Sequence, residues 1–148
     1  MNIDEVELKI LRLLQEDGRL SYSDISKKLN VPQSTVRFKV NRLIREGYIK
    51  KFVAILDPVK LGYPIIMIMM LKTDPRYFDN IFNSISSLKE IHHMFQITGN
   101  YDIIAILHAK DMEHVGELTN KIKALDGIQD AEVLLATGRL LIKNELPI

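Results

Sequence analysis

Apolar residues recur at helical spacing through the first third of the chain. Ile3, Val6, Ile10, Leu13 and Leu14 fall on one helical face, and Asp4, Glu5 and Glu7 occupy the first turn, where the helix dipole favours anions. Gly18 ends this helix. The stretch LSYSDISKKLN predicts a short second helix, with Ser21 or Ser23 as N-cap, Ile25 and Leu29 inward and Asn30 near its end. Only Asn30 and Val31 then precede Pro32, which suits the first turn of a third helix running to about Glu46 and stopping at Gly47. Two short helices joined by so tight a turn, the second one basic, predict a helix-turn-helix.

The rhythm changes after Gly47. YIKKFVAILD (48–57) alternates loosely and is rich in β-branched and aromatic residues, which predicts a strand. Asp57-Pro58 and Gly62-Tyr63-Pro64 punctuate the chain and mark a domain boundary. PIIMIMMLK reads as an apolar strand, and 76–88 as a helix with Phe78, Ile81, Phe82 and Ile85 inward. IHHMFQITG and IIAILHA form a hairpin around the turn NYD. MEHVGELTNKIKAL is a helix burying Val115, Leu118, Ile122 and Leu125, and IQDAEVLLA is the last strand. The order β-α-β-β-α-β is the ferredoxin-like pattern, an antiparallel sheet with both helices on one face. Met67, Met69, Ile104 and Ile106 are expected to form an apolar outer face that needs a partner. The fold class is therefore α+β: a helix-turn-helix (winged-helix-like) domain over 1–50, a strand linker over 51–63, and a ferredoxin-like domain over 64–148.

Charge separates the same two halves. Residues 1–60 hold twelve Lys and Arg against eight Asp and Glu, whereas residues 61–148 hold eight against eleven. Within 21–51 the count is eight basic to two acidic, the signature of a polyanion-binding module joined to a part that does something else. With no cysteine, disulfides, thiolate metal sites and cysteine nucleophiles are excluded. The longest apolar run, PIIMIMML, is too short to span a bilayer, and the acidic N-terminus has no signal-peptide character, so the expectation is a cytoplasmic protein without a membrane partner.

Candidate chemistry concentrates at two places. On the third helix, Val36, Val40, Leu43 and Ile44 face inward, and Ser34, Phe38, Asn41 and Arg45 centre on the opposite side. Ser34, Arg37, Phe38 and Asn41 are candidate readers of base edges, joined by Gln33 and Thr35 in the same first turns. Arginine can pair with guanine, asparagine with adenine, and a phenyl ring can contact a thymine methyl. Lys27, Lys28, Lys39, Arg42, Arg45 and the Lys50-Lys51 pair would add sequence-independent, salt-sensitive affinity for double-stranded DNA. The bland alternative is a solvated helix with Phe38 packed under a loop. The second place is the hairpin TGNYD, 98–102. Gly99 and Asn100 are explained by turn chemistry alone. Tyr101 and Asp102 are less demanded by a turn, and beside exposed amides they could hold a zwitterion, with Asp102 on its ammonium. His92, His93, His108 and His114 lack ligand spacing, and neighbours on a strand point to opposite faces, so no metal and no cofactor is expected. Phosphate-loop, G-x-S-x-G and H-E-x-x-H motifs are absent, and the chain is expected not to be an enzyme.

The two halves together resemble the Lrp/AsnC (leucine-responsive, or feast/famine) regulators. The resemblance rests on IDEVELKILRLLQEDGRLSYSDISKKL, STVRFKVNRLIREGYIKKFVAILDPVKLG, TGNYDIIAIL and their order, and covers essentially the whole chain. It implies a DNA-binding domain followed by an amino-acid-sensing domain, and homodimers that pair through the linker strand and the C-terminal sheets, assembling into octamers and reading a palindromic operator. It implies a small amino acid bound between dimers beside Thr98, Gly99, Asn100, Tyr101 and Asp102, with a neighbouring chain contributing residues that include Thr137. Archaeal members of this size include a glutamine-responsive one. Two departures stand out: Asn100 where the family commonly has Asp, and Lys39 where arginine is frequent. Two other readings remain open, a sensor or enzyme whose first domain mediates protein contacts, and a DNA-organising protein of low specificity.

Overall fold

The computed structural model describes residues 3–138 and 140–148, which divide into two compact units. One comprises the N-terminal residues to Ile55 together with Leu140–Ile148, the other Leu56–Arg139.

The first unit is built on three helices, α1 (Glu5–Glu16), α2 (Tyr22–Leu29) and α3 (Gln33–Arg45). Asp4 starts α1 through a capping box: its carboxylate accepts from the Glu7 N–H at 2.9 Å, and the Glu7 carboxylate accepts from the Asp4 N–H at 2.9 Å. Ser21, the nearer of the two expected caps, does the same for α2 with Asp24. Asn30 ends α2 in the left-handed conformation at φ 52°, the geometry asparagine tolerates best after glycine. Ile10, Ile25, Val36, Val40 and Leu43 form the buried centre. Each helix contributes one stripe, and none could bury it alone.

The second unit is the expected β-α-β-β-α-β chain: β1 (Ile65–Thr73), a 3₁₀ turn (Pro75–Tyr77), α4 (Phe78–Ser86), β2 (Ile91–Gln96), β3 (Ile103–Ala109), α5 (Met112–Lys123) and β4 (Ile128–Leu135). The sheet order is β2-β3-β1-β4, antiparallel throughout. Ile81 and Ile85 of α4, with Val115, Leu118 and Ile122 of α5, cover one face. Gly127, at φ +89°, turns the chain into β4 against Tyr77, whose Cβ would lie 2.3 Å from any Cβ placed there.

Two expectations need correction. Met67 and Met69 do not belong to the outer face. They are fully buried under the helices, opposite Leu107 and Ala105, and the outer face carries Ile66, Ile68 and Met70 with Ile104 and Ile106. Side chains alternate along a strand, so a continuous apolar run leaves the phase undetermined, and an error of one residue exchanges the faces. The strand expected over 48–57 is likewise not formed within this chain. A strand needs a neighbour for its amides and carbonyls, and none of the four sheet strands pairs with this segment. Its apolar side chains stay in the open, with Phe52 50%, Val53 64% and Ile55 72% exposed.

Among the described residues no helix is long and apolar enough to cross a membrane.

Candidate functional site

The outward face of α3 follows from its inward one. With Val36, Val40 and Leu43 buried, residues about half a turn away must face solvent. Gln33, Ser34, Arg37, Phe38 and Asn41 together line one shallow depression on that surface. Phe38 is 65% exposed and is one of the residues lining that depression, so it is not tucked under a loop. The Arg37 guanidinium lies 5.8 Å from the centre of the Tyr22 ring on α2, which restrains it by cation–π attraction. Sequence reasoning overlooked Tyr22 as a positioning group. Its place one residue after a serine N-cap was the available signal.

The cations nominated for phosphate divide into two groups. Lys27, Lys28 and Arg45 are exposed, as are Gln33, Ser34, Arg37, Phe38 and Asn41, while Thr35 is half-buried. Lys39 and Arg42 are engaged at home. Lys39 pairs with Asp4 and lies 3.8 Å from Glu7, and Arg42 donates to Glu7 at 3.0 Å and to Glu46 at 2.9 Å. Glu7 is only 1% exposed, so these cations neutralise a buried carboxylate and lock α1 against α3. The hydrogen bond from Lys39 holds Asp4 below the usual carboxylate range, and the one from Arg42 does the same for Glu46. The two residues therefore fix α3 against α1, and would bring to a phosphate only the charge left after these pairings.

At the hairpin, Gly99 takes φ +113°, which favours glycine. The Asp102 N–H donates to Leu71 at 2.8 Å, and its carboxylate accepts from the Thr73 N–H at 2.7 Å and hydroxyl at 3.2 Å. Asp102 thus ties the hairpin to the end of β1 and presents a negative charge there. The Tyr101 hydroxyl donates to Glu132 at 3.1 Å, a bond that raises the phenol's pKa. Thr98, Gly99 and Asn100 complete the tip. Thr137 is not brought to this hairpin. It follows Ala136, whose N–H donates to Ile66 at the other end of β1, about 23 Å from Thr73 at 3.3 Å per residue.

The histidines also differ from expectation. A register shift between Ile91 and His93 overrides strict alternation, and the His92 and His93 Nδ1 atoms lie 2.6 Å apart. The His92 ring also meets that of His108, 4.9 Å between centres. Burial lowers the pKa of His92, with help from His93 and His108, and burial lowers that of His108. Among the described residues no three His, Asp, Glu or Cys are arranged to hold a metal ion.

Comparison with known proteins agrees with both halves. Residues 3–50 match the winged helix-turn-helix DNA-binding family model, and 65–146 match the Lrp/AsnC ligand binding domain. The chain is 40% identical to an uncharacterized HTH-type transcriptional regulator of Pyrococcus abyssi, over 93% of this chain and 88% of that one. It is 33% identical to the HTH-type transcriptional regulator Ptr1 of Methanocaldococcus jannaschii, over 99% of each. The fold is also that of E. coli AsnC (TM-score 0.90, 22% identity, 98% of this chain and 99% of that). It matches equally a Neisseria meningitidis transcriptional regulator solved with L-Met (TM-score 0.93, 21% identity, 99% and 97%). Helix-turn-helix surface, ligand-binding domain and full-length kinship converge: the chain belongs to the Lrp/AsnC family of DNA-binding transcriptional regulators.

Proposed function

We propose that this regulator reads a palindromic operator as a homodimer, and that a small amino acid bound between dimers of an octamer sets its assembly or DNA affinity. The carrying observation is the α3 surface, where Gln33, Ser34, Arg37, Phe38 and Asn41 line one open depression, with Lys27 and Lys28 exposed on the preceding helix. An arginine, an asparagine and an aromatic ring on one solvent face match the edges of bases and not the needs of a core. Arg37 and Asn41 read bases, Phe38 contacts a thymine methyl, and Lys27, Lys28 and Arg45 meet phosphates.

The sensing half rests on the hairpin. A zwitterion's ammonium is attracted to the Asp102 carboxylate and its carboxylate to the tip amides. Because Thr137 lies at the far end of its own β1, a site using both Thr137 and Asp102 takes them from different chains, which supports binding between dimers. Glutamine is the first effector to test, with methionine second because the Neisseria relative was solved with L-Met.

A thermal-shift screen of the full chain against single amino acids tests this. A native-state ligand at a hundredfold excess over its Kd stabilises by about 2.7 kcal/mol, so the true effector raises Tm measurably. Silence across all amino acids would sink the sensor reading. In Asp102→Asn, which keeps an acceptor for Thr73 but loses the charge, the same effector should no longer shift Tm, while calorimetry shows the unliganded fold intact.

A further inference from the structure

The final segment of the chain leaves the sheet it follows. Leu140–Ile148 groups with the three-helix unit, although β4 ends at Leu135 in the other. Its anchorage is on α1. The Gln15 side-chain amide takes the Leu146 backbone from both sides, accepting its N–H at 2.6 Å and donating to its carbonyl at 3.3 Å. One turn earlier on the same helix face, the Arg12 Nε–H donates to the main-chain oxygen of Ile148 at 2.7 Å. Ile148 is the one described residue of 140–148 that is not exposed. Gln15 and Arg12 thus grip backbone groups of Leu146 and Ile148, which a further bond from the Ile148 N–H to the Leu146 carbonyl holds in a tight turn.

We propose that residues 140–148 are a strap through which the ligand-binding domain acts on the DNA-reading domain. This rests on the sensor reading above, in which Thr137 joins the effector site. Thr137 stands three residues before the strap begins, so whatever fixes Thr137 restricts the path of the strap to Gln15. From Gln15 the route continues through one rigid helix. The far end of α1 carries Asp4 and Glu7, which are bound to Lys39 and Arg42 of α3. The strap therefore ends on the helix whose other end holds the DNA-reading helix. It is a second covalent route between the domains, beside the linker at 51–63, and it bears on α1 instead of on the end of α3.

Backbone hydrogen exchange on the full-length protein, with and without a millimolar mixture of the proteinogenic L-amino acids, tests the strap without any DNA. In the wild type the Leu146 amide is protected, and the mixture changes exchange both at 99–102 and in α1. Arg12→Met with Gln15→Met removes all three bonds while keeping straight, helix-compatible side chains. Leu146 should then exchange roughly fivefold faster or more, the response at 99–102 should persist, and the response in α1 should disappear. Lys9→Met, on α1 but with its amine paired to Glu5 and not bonded to 140–148 among the described residues, should keep the wild-type response. An unprotected Leu146 in the wild type, or an α1 response surviving the double substitution, overturns the proposal. Silence at 99–102 in every protein is a different result: it brings down the sensor reading and the strap with it.

Discussion

Arg37 and Arg42 stand five residues apart on one helix and look equivalent in the sequence, yet the structure gives them different work. Arg37 projects over Tyr22 toward solvent, whereas Arg42 spends its guanidinium on Glu7 and Glu46. What separated them was a partner thirty-five residues away, Glu7, whose burial no local pattern announces. The substitutions should separate them too. Arg42→Ala leaves Glu7 in the core with the Asp4 N–H and, at 3.8 Å, the Lys39 amine, so it should lower folding stability by about 3 kcal/mol in denaturant unfolding, the low end for breaking a buried pair. Arg37→Ala should change stability by less than about 0.5 kcal/mol and act on DNA affinity alone. Equal destabilisation by the two would contradict these roles. Phe38, ambiguous in the sequence, is resolved in one respect: its ring is open to whatever α3 meets.

At the scale of elements, most of the architecture was legible because it obeys periodicity. The helices of the first unit, both caps of α2 and the strand–helix order of the second unit follow from apolar spacing and punctuation. Three things were not legible, each for a physical reason. The phase of β1 was hidden because both faces of IIMIMM are apolar. The segment 48–57 has strand composition but no strand partner inside its own chain. The His92–His93 contact depends on a register shift that alternation cannot foresee. That contact has a consequence for pH. His92 and His108 are held below the ordinary histidine pKa, so the unfolded chain binds more protons than the folded one near pH 6.5. Stability should therefore be full well above pH 6.5 and decline as the pH falls through it. Among the described residues the buried His108 Nδ1 has no hydrogen-bond partner, and its strand neighbours Ile66 and Ile106 are apolar. His108→Leu should flatten the decline in urea midpoint between about pH 7.5 and 5.5 without loss at the upper end. An unchanged slope would show that these imidazoles do not titrate with folding.

For the molecule as a whole, both candidate surfaces stood out in the sequence, since each is a chemical anomaly: an aromatic ring among cations outside a helix, and an aspartate beside a glycine turn. The coupling we propose between them was less visible, because it would run through the contacts of Leu146 and Ile148 with α1, and coupling requires that the effector bind one arrangement of the molecule better than another. The most direct test of the central claim is the affinity of the full-length protein for a duplex from upstream of its own gene. It should be measured by anisotropy against a random duplex over a series of salt concentrations. The account predicts a preference for the upstream duplex and a log–log salt slope of magnitude about 4 or more, reduced by about 1 per phosphate contact in Lys28→Ala. Arg37→Ala should erase the preference but keep the slope. Binding that is absent, or indifferent to salt, would contradict it.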